Sequence, residues 1–175
     1  MASVGLERML SARDERAARQ AVALARFSRP LVSMTVVTPG PVKDGSRPRR
    51  LLAVAMDAVE GLSARAEWRV LARDAYWLET GPEALYAVDA DARLLKSATV
   101  GLEDRHTLGR LWDLDVIEPE LGGLSRQALG WPPRRCLICE QPAHACARSR
   151  RHPLDELSKA TKEIVDAYDR RFDGP

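Results

Sequence analysis

Apolar residues first recur at intervals of three and four. Leu6, Met9, Leu10, Ala17, Ala21, Leu24 and Ala25 predict a helix over residues 4–27, which Pro30 ends. The pattern then tightens to a β-branched run, LVSMTVVT at 31–38, that predicts a buried strand. Three prolines and two glycines make 38–48 a loop. Helical spacing returns over 49–66 through Leu52, Met56, Val59 and Leu62. Residues 68–79 suit a strand, Gly81-Pro82 a turn, and 84–89 a second, short strand. Leu94, Leu95, Ala98 and Leu102 predict a helix over 91–104. RLWDLDVI at 110–117 alternates as a strand should, a turn at 118–123 leads into a short strand at 124–127, and Trp131-Pro132-Pro133 breaks the chain. Leu154, Leu157, Ile164, Val165 and Tyr168 mark an amphipathic helix over 154–172. Helices and strands in this irregular order predict an α+β fold. The expected architecture is a single domain over 1–175, with a mixed sheet flanked by helices, a Cys/Arg-rich satellite at 134–152 and a C-terminal helix at 154–172.

Composition changes this picture in three ways. At 175 residues, 45% apolar and 30% charged, the chain is an ordinary globular protein that needs no disulfides to fold. Its net charge of +2 argues against a generic nucleic-acid coat, yet only four of its 27 basic residues are lysines. The rest are arginines, whose planar guanidinium groups suit phosphate-rich ligands; source-genome composition would produce the same excess. Glu7 and Arg8 interrupt what a secretory signal would need as an apolar core, and the longest uncharged stretch, Pro30 to Val42, is far short of the roughly 20 residues of a spanning helix. The expectation is a cytoplasmic protein with reduced thiols and no membrane or nucleic-acid partner.

The densest chemistry lies in HTLGRLWDLDV, residues 106–116. Asp113 and Asp115 are two apart in a strand pattern, so they share one face, about 6.5–7 Å apart at the α-carbons. Leu111 is expected on that face, and Trp112, Leu114 and Val116 in the core. Two carboxylates side by side repel unless a cation lies between them. Hard oxygen ligands suit Mg²⁺, which takes one or two carboxylates and fills its shell with water and substrate phosphates. A solvated strand edge carries the same D-x-D. Gly109 allows close backbone approach, and Arg110 sets a cation beside the acids. Glu103 is either a third metal carboxylate or a solvated helix residue.

Four blocks in order, SARDERAARQ (11–20), PLVSMTVVTPGPVKD (30–44), HTLGRLWDLDV (106–116) and RRCLICEQPAHACARSRRH (134–152), resemble the apo-citrate lyase phosphoribosyl-dephospho-CoA transferase family, also called citrate lyase holo-acyl-carrier-protein synthase. The resemblance implies a nucleotidyltransferase-type reaction. The donor is 2′-(5″-triphosphoribosyl)-3′-dephospho-CoA and the acceptor is a serine of the apo acyl carrier (γ) subunit of citrate lyase, with diphosphate leaving. The D-x-D is also similar to the metal motif of polymerase-β-like nucleotidyltransferases, which implies a fold of that kind. Those enzymes usually carry a Gly-Ser pair about ten residues before the acids, whereas Gly109-Arg110 here stand four and three before Asp113.

Read with that chemistry, Asp113 and Asp115 hold Mg²⁺ and Arg110 stabilises charge on the transferred phosphate. His106 either takes the serine proton or is a turn histidine that bonds locally. Gly109, Arg13, Arg16, Lys43, Arg49, Arg50, Arg134 and Arg135 are the expected substrate-binding residues. Lys43, Arg47, Arg49 and Arg50 outnumber Asp44 in a loop, which predicts unpaired cations there. For Arg13 to Arg19, pairing with acids one turn away on an exposed helix is the plainer reading.

The cysteines fall in one stretch. Cys136-x₂-Cys139-x₆-Cys146-x₅-His152 supplies the Cys₃His set of a structural zinc site, with His144 as an alternative fourth ligand. Buried free thiols on a short helix are the rival. A second functional class stays open: a non-catalytic, zinc-stabilised basic module binding RNA or an acidic protein. Aromatics at 5% weaken the RNA version, because base stacking needs them.

Overall fold

The computed structural model describes residues 3–172; the ends of the expected 1–175 domain lie outside the described residues. Helix α1 (Leu6–Phe27) ends where Ser28 turns left-handed and donates its N–H to the Leu24 carbonyl. It leads into β1 (Leu31–Val36). Helix α2 (Ser46–Arg65) starts earlier than the loop prolines predict. Pro48 sits in its first turn, where a missing N–H leaves no helical bond unmade. Strands β2 (Arg69–Leu78) and β3 (Gly81–Asp89) form a hairpin. Its loop is Glu79-Thr80, not Gly81-Pro82: Leu78 pairs with Gly81, and Gly81 enters β3 at φ +112°. Helix α3 (Ala92–Arg105) is capped by Asp91, which accepts from the N–H groups of Arg93 and Leu94. A 3-10 turn at Gly109–Leu111 precedes β4 (Trp112–Glu118). β5 (Gly122–Leu124) comes two residues earlier than expected, because Gly122 at φ +75° already closes the loop. Short α4 (Ala143–Ser149) and the long α5 (Leu154–Phe172) follow.

The strands form one sheet in the order β2-β3-β1-β4-β5, and among the described residues every pairing is antiparallel. The fold is α+β, as expected, but the sheet is antiparallel rather than mixed. Strand alternation splits the side chains between two unlike faces. On one, Val32, Met34, Tyr86, Trp112, Leu114 and Val116 pack against Leu51, Leu52, Ala55 and Val59 of α2, Leu95 of α3, and Ile164, Val165 and Tyr168 of α5. Each fully buried large side chain there contributes about 1.5–3 kcal/mol. On the other face, Leu31, Leu85 and Ala87 meet Ala23, Leu24 and Phe27 from the end of α1.

The apolar stripe read on α1 is only in part the one it buries, through Met9 and Leu24. Leu6 is 76% exposed and Val22 68%, while Ala17, Ala21 and Ala25 face solvent. Ala12 is buried, and Met9, Arg16, Arg19, Gln20, Ala23, Leu24 and Phe27 are half-buried. The middle of the sheet-facing stripe is therefore polar, because the sheet beneath it carries acids.

Candidate active site

Strand β4 carries Asp113 and Asp115 on the α1 face, opposite Thr35 and Ser33 of β1. Trp112, Leu114 and Val116 lie in the core, as the alternation predicts. Leu111 does not share the acids' face. It belongs to the 3-10 turn and is buried with Trp112, because the strand begins at Trp112 rather than at Arg110.

β4 outruns its neighbour. β5 pairs only from Val116 onward, so the outward backbone groups of Leu114 need other partners. Two buried side chains of α3 supply them: Lys96 Nζ donates to the Leu114 carbonyl at 3.0 Å, and the Leu114 N–H donates to Glu103 Oε1 at 2.8 Å. Glu103 is thus buried rather than solvated. It is a backbone acceptor that fixes the residue between the two acids. Burial pushes its carboxyl above the usual range, against the pull of the Leu114 N–H, Arg134 and Lys96. Gly109 is required for a similar reason. A Cβ there would lie 2.3 Å from the Leu102 carbonyl oxygen and 2.5 Å from that of Glu103, so the close approach it permits is to α3.

The acids are poorly compensated. Asp113, 54% exposed, has Arg134 Nη1 at 3.7 Å. Asp115 makes no ion pair within 4 Å among the described residues. Its side chain reaches solvent, yet the protein packed around it strips part of its hydration. That desolvation first, and the like charge of Asp113 second, raise its pKa above the ordinary value, opposed by Lys96, Arg16 and Arg134. Two accessible hard-oxygen donors with unmet negative charge fit a divalent cation such as Mg²⁺.

Asp113 borders the larger of two hollows that share Thr38. The larger, about 920 Å³, is lined by Val37, Pro39, Asp113 and Arg110 on one side and by Arg134, Arg135, Cys136, Leu137, His144 and Arg150 on the other, with Leu154 and Leu157 closing it. Burial and the charge of Arg134 both weigh against the Arg110 guanidinium, which therefore sits below its ordinary pKa. That is the electrostatic state an anionic ligand relieves. The smaller hollow, about 140 Å³, is lined by Arg16, Thr35, Lys43, Thr80 and Glu83. Lys43 Nζ donates to the Thr38 carbonyl at 2.6 Å, and burial lowers its pKa.

Other expected residues stand elsewhere. His106 is stacked on Trp112 with ring centroids 4.3 Å apart, on the core side of β4, and its Nδ1 accepts from the Leu108 N–H at 3.1 Å. This is the local role of a turn histidine, and the strand separates it from the acids. Arg49 binds both oxygens of Asp44, and Arg50 binds Asp169 across to α5. Arg49 takes the loop's own acid, and the expected surplus of unpaired cations is corrected at Arg50, whose acid the fold delivers from α5. Arg13 is exposed on α1. Arg135 pairs with Glu140. Arg16 and Arg19 do not pair along the helix. Both reach Glu83 of β3, at 3.0 and 2.6 Å.

Glu83 was missed by the sequence reading. Its side chain is 5% exposed and lies on the acids' face, two strands from Asp113, roughly 10 Å away at the α-carbons. Its signal was a charge placed immediately before the apolar run ALYAV.

The Cys₃His set does come together. Cys136, Cys139, Cys146 and His152 offer ligand atoms all within 4.8 Å of one another, a cluster that can bind a metal such as zinc. His144 lines the large cleft instead.

Residues 4–168 match the family model described as apo-citrate lyase phosphoribosyl-dephospho-CoA transferase. The protein of that name from Escherichia coli (strain SMS-3-5 / SECEC) is 44% identical over 167 residues, covering 95% of this chain and 91% of the relative. Those of Shigella boydii serotype 18 and Escherichia coli O157:H7 are similar to the same extent. No helix among the described residues is long and apolar enough to cross a membrane.

Proposed function

The chain belongs to the apo-citrate lyase phosphoribosyl-dephospho-CoA transferase family, and from that premise we propose that it moves the phosphoribosyl-dephospho-CoA group from 2′-(5″-triphosphoribosyl)-3′-dephospho-CoA to a serine of the apo acyl carrier (γ) subunit of citrate lyase, releasing diphosphate. It is an enzyme of the transferase kind, which overturns the non-catalytic, RNA- or partner-binding alternative. The observation that carries the proposal is the acidic pair on a rigid strand at the edge of an arginine-lined cleft.

Transfer of this type is mostly positioning and charge stabilisation. Asp113 and Asp115 would hold Mg²⁺, which when bound acidifies the attacking hydroxyl and offsets charge on the leaving diphosphate. The large cleft takes the donor. Its apolar walls, Val37, Leu137, Ala143, Ala147 and Leu157, accept the nucleoside and pantetheine arm, and Arg110, Arg134 and Arg150 meet phosphate oxygens. The carrier serine enters from the smaller hollow, past Thr35 and Lys43. Arg16 and Arg19 are drawn to Glu83 and so hold α1 over that entrance. His106 has no part in the proton transfer.

The test is intact-mass spectrometry of the apo-carrier after incubation with protein, donor and Mg²⁺. The expected result is one added phosphoribosyl-dephospho-CoA group, absent when the carrier's serine is replaced by alanine. No mass gain, or full activity in Asp113→Ala and Asp115→Ala, contradicts the proposal.

A further inference from the structure

The Cys/Arg-rich segment contains few apolar residues, and of its largest, Leu137 is only partly buried and Ile138 is exposed. Something other than a hydrophobic core must hold it. Three separate elements contribute to one cluster: the turn at Cys136–Cys139, Cys146 from α4, and His152 immediately before α5. Tetrahedral zinc with bonds of about 2.3 Å to sulfur and 2.0–2.1 Å to nitrogen needs donor atoms about 3.5–3.8 Å apart. Cys139 Sγ stands 3.6 Å from Cys146 Sγ and 3.3 Å from His152 Nε2. The other imidazole nitrogen, Nδ1, faces Glu156 Oε2 at 3.7 Å. A carboxylate behind a ligating histidine fixes the ring and its tautomer. The Ile138 N–H points at Cys136 Sγ at 3.5 Å, as backbone amides do around a thiolate held in a turn.

The same segment is braced to the active site in both directions. Arg110 Nη2, three residues before Asp113, donates to the carbonyls of Arg135 (2.7 Å) and Cys136 (3.0 Å). Arg134 Nη2 donates back to the carbonyls of Arg110 (2.5 Å) and Gly109 (3.3 Å). Cys136, Cys146 and His152 themselves line the large cleft.

We propose that Cys136, Cys139, Cys146 and His152 bind one structural zinc ion, and that this ion holds the wall of the cleft which grips the phosphates of the donor. Four protein ligands leave no open position, so the ion is structural rather than catalytic. Its part in donor binding rests on the function proposed above; its presence does not.

The protein, purified under reducing conditions, is assayed for metal by atomic emission, for cobalt substitution by visible absorption, for tryptic cutting within 134–152, and for 3′-dephospho-CoA affinity by calorimetry. One zinc per chain is expected. Co²⁺ exchanged into the site should give the intense visible bands of a tetrahedral thiolate complex. Cys139→Ser and His152→Ala should each lose the metal, while Asp113→Asn keeps it. Chelation of the wild-type protein should expose Arg135, Arg148 and Arg151 to trypsin and weaken 3′-dephospho-CoA binding at least tenfold, and added zinc should restore both. A metal-free protein that gives no cobalt spectrum, or one isolated with a Cys139–Cys146 disulfide, overturns the zinc site. Zinc that can be removed without altering tryptic cutting or affinity overturns its role as the wall. Zinc that protects the segment in a protein that never binds 3′-dephospho-CoA overturns the assignment of the cleft to the donor, and leaves the metal site standing.

Discussion

The two walls of the large cleft are held by different means. The floor, β4, is fixed by the core. Trp112, Leu114 and Val116 are fully buried beneath it, β1 pairs along its length, and Lys96 and Glu103 bind the backbone of the residue between the acids. The opposite wall, 134–152, has almost no core. It carries the Cys₃His cluster, which we propose zinc ties together, and it is joined to the floor by the exchange of guanidinium bonds between Arg110 and Arg134. In the proposed function, chemistry is mounted where core packing fixes the backbone, and grip is mounted where side-chain bonds set the shape. Damage to the floor should appear in the chemical step, and damage to the wall in binding.

The largest break in this contrast should come from Asp113→Asn. Transfer is expected to slow by about 10³-fold or more, because charge stabilisation at the reacting phosphate is lost. Circular dichroism and melting should hardly change, because the side chain is exposed. Arg134→Lys comes next. Lysine cannot brace two carbonyls while facing Asp113, so kcat/KM should fall about 10–100-fold, mostly through KM. Glu83→Gln should act on stability. It leaves Arg16 and Arg19 without their shared acid in a part-buried place, at a cost of about 2–3 kcal/mol once their exposure is allowed for. For a chain of this size that lowers the melting temperature by about 5–10 °C.

The smallest effect on turnover should come from His106→Gln, less than about threefold, where loss of a general base would cost about 10²–10⁴-fold. Its signature is in stability against pH. Burial first, and Arg171 second, hold His106 below its ordinary pKa. The native ring stays neutral where the unfolded chain takes up a proton, at about pH 6.5 and below. Stability therefore falls as pH drops through that range, and the variant should flatten the slope in urea titrations at pH 5 to 7.

Much of this was legible in the sequence, and for identifiable reasons. Period-2 alternation oriented Trp112, Asp113, Leu114 and Asp115 correctly, because one buried face fixes which residues point outward. The cysteine spacing anticipated the ligand cluster, because a C-x₂-C turn and a helix impose short reach. What was not legible depended on partners distant in sequence. Lys96 and Glu103 look solvated on a helical wheel, although they share the stripe of Ala92 and Thr99. Only β4's missing neighbour gives them a reason to be buried. Arg19 has Glu15 one turn away and Arg16 has Asp14 and Glu15 beside it in sequence, so nothing local points to Glu83. His106 next to an acidic motif invites a catalytic reading until its stack on Trp112 places it behind the strand.

The contrast between floor and wall is tested most directly by measuring donor affinity and single-turnover transfer side by side in Asp113→Asn and Cys139→Ser. Asp113→Asn should bind donor at least as tightly as the wild type and transfer about 10³-fold more slowly or worse. Cys139→Ser should bind donor at least about tenfold more weakly, yet at saturating donor it should transfer within about tenfold of the wild-type rate. The reverse pattern, with the chemical step intact in Asp113→Asn and abolished at saturation in Cys139→Ser, would contradict the account.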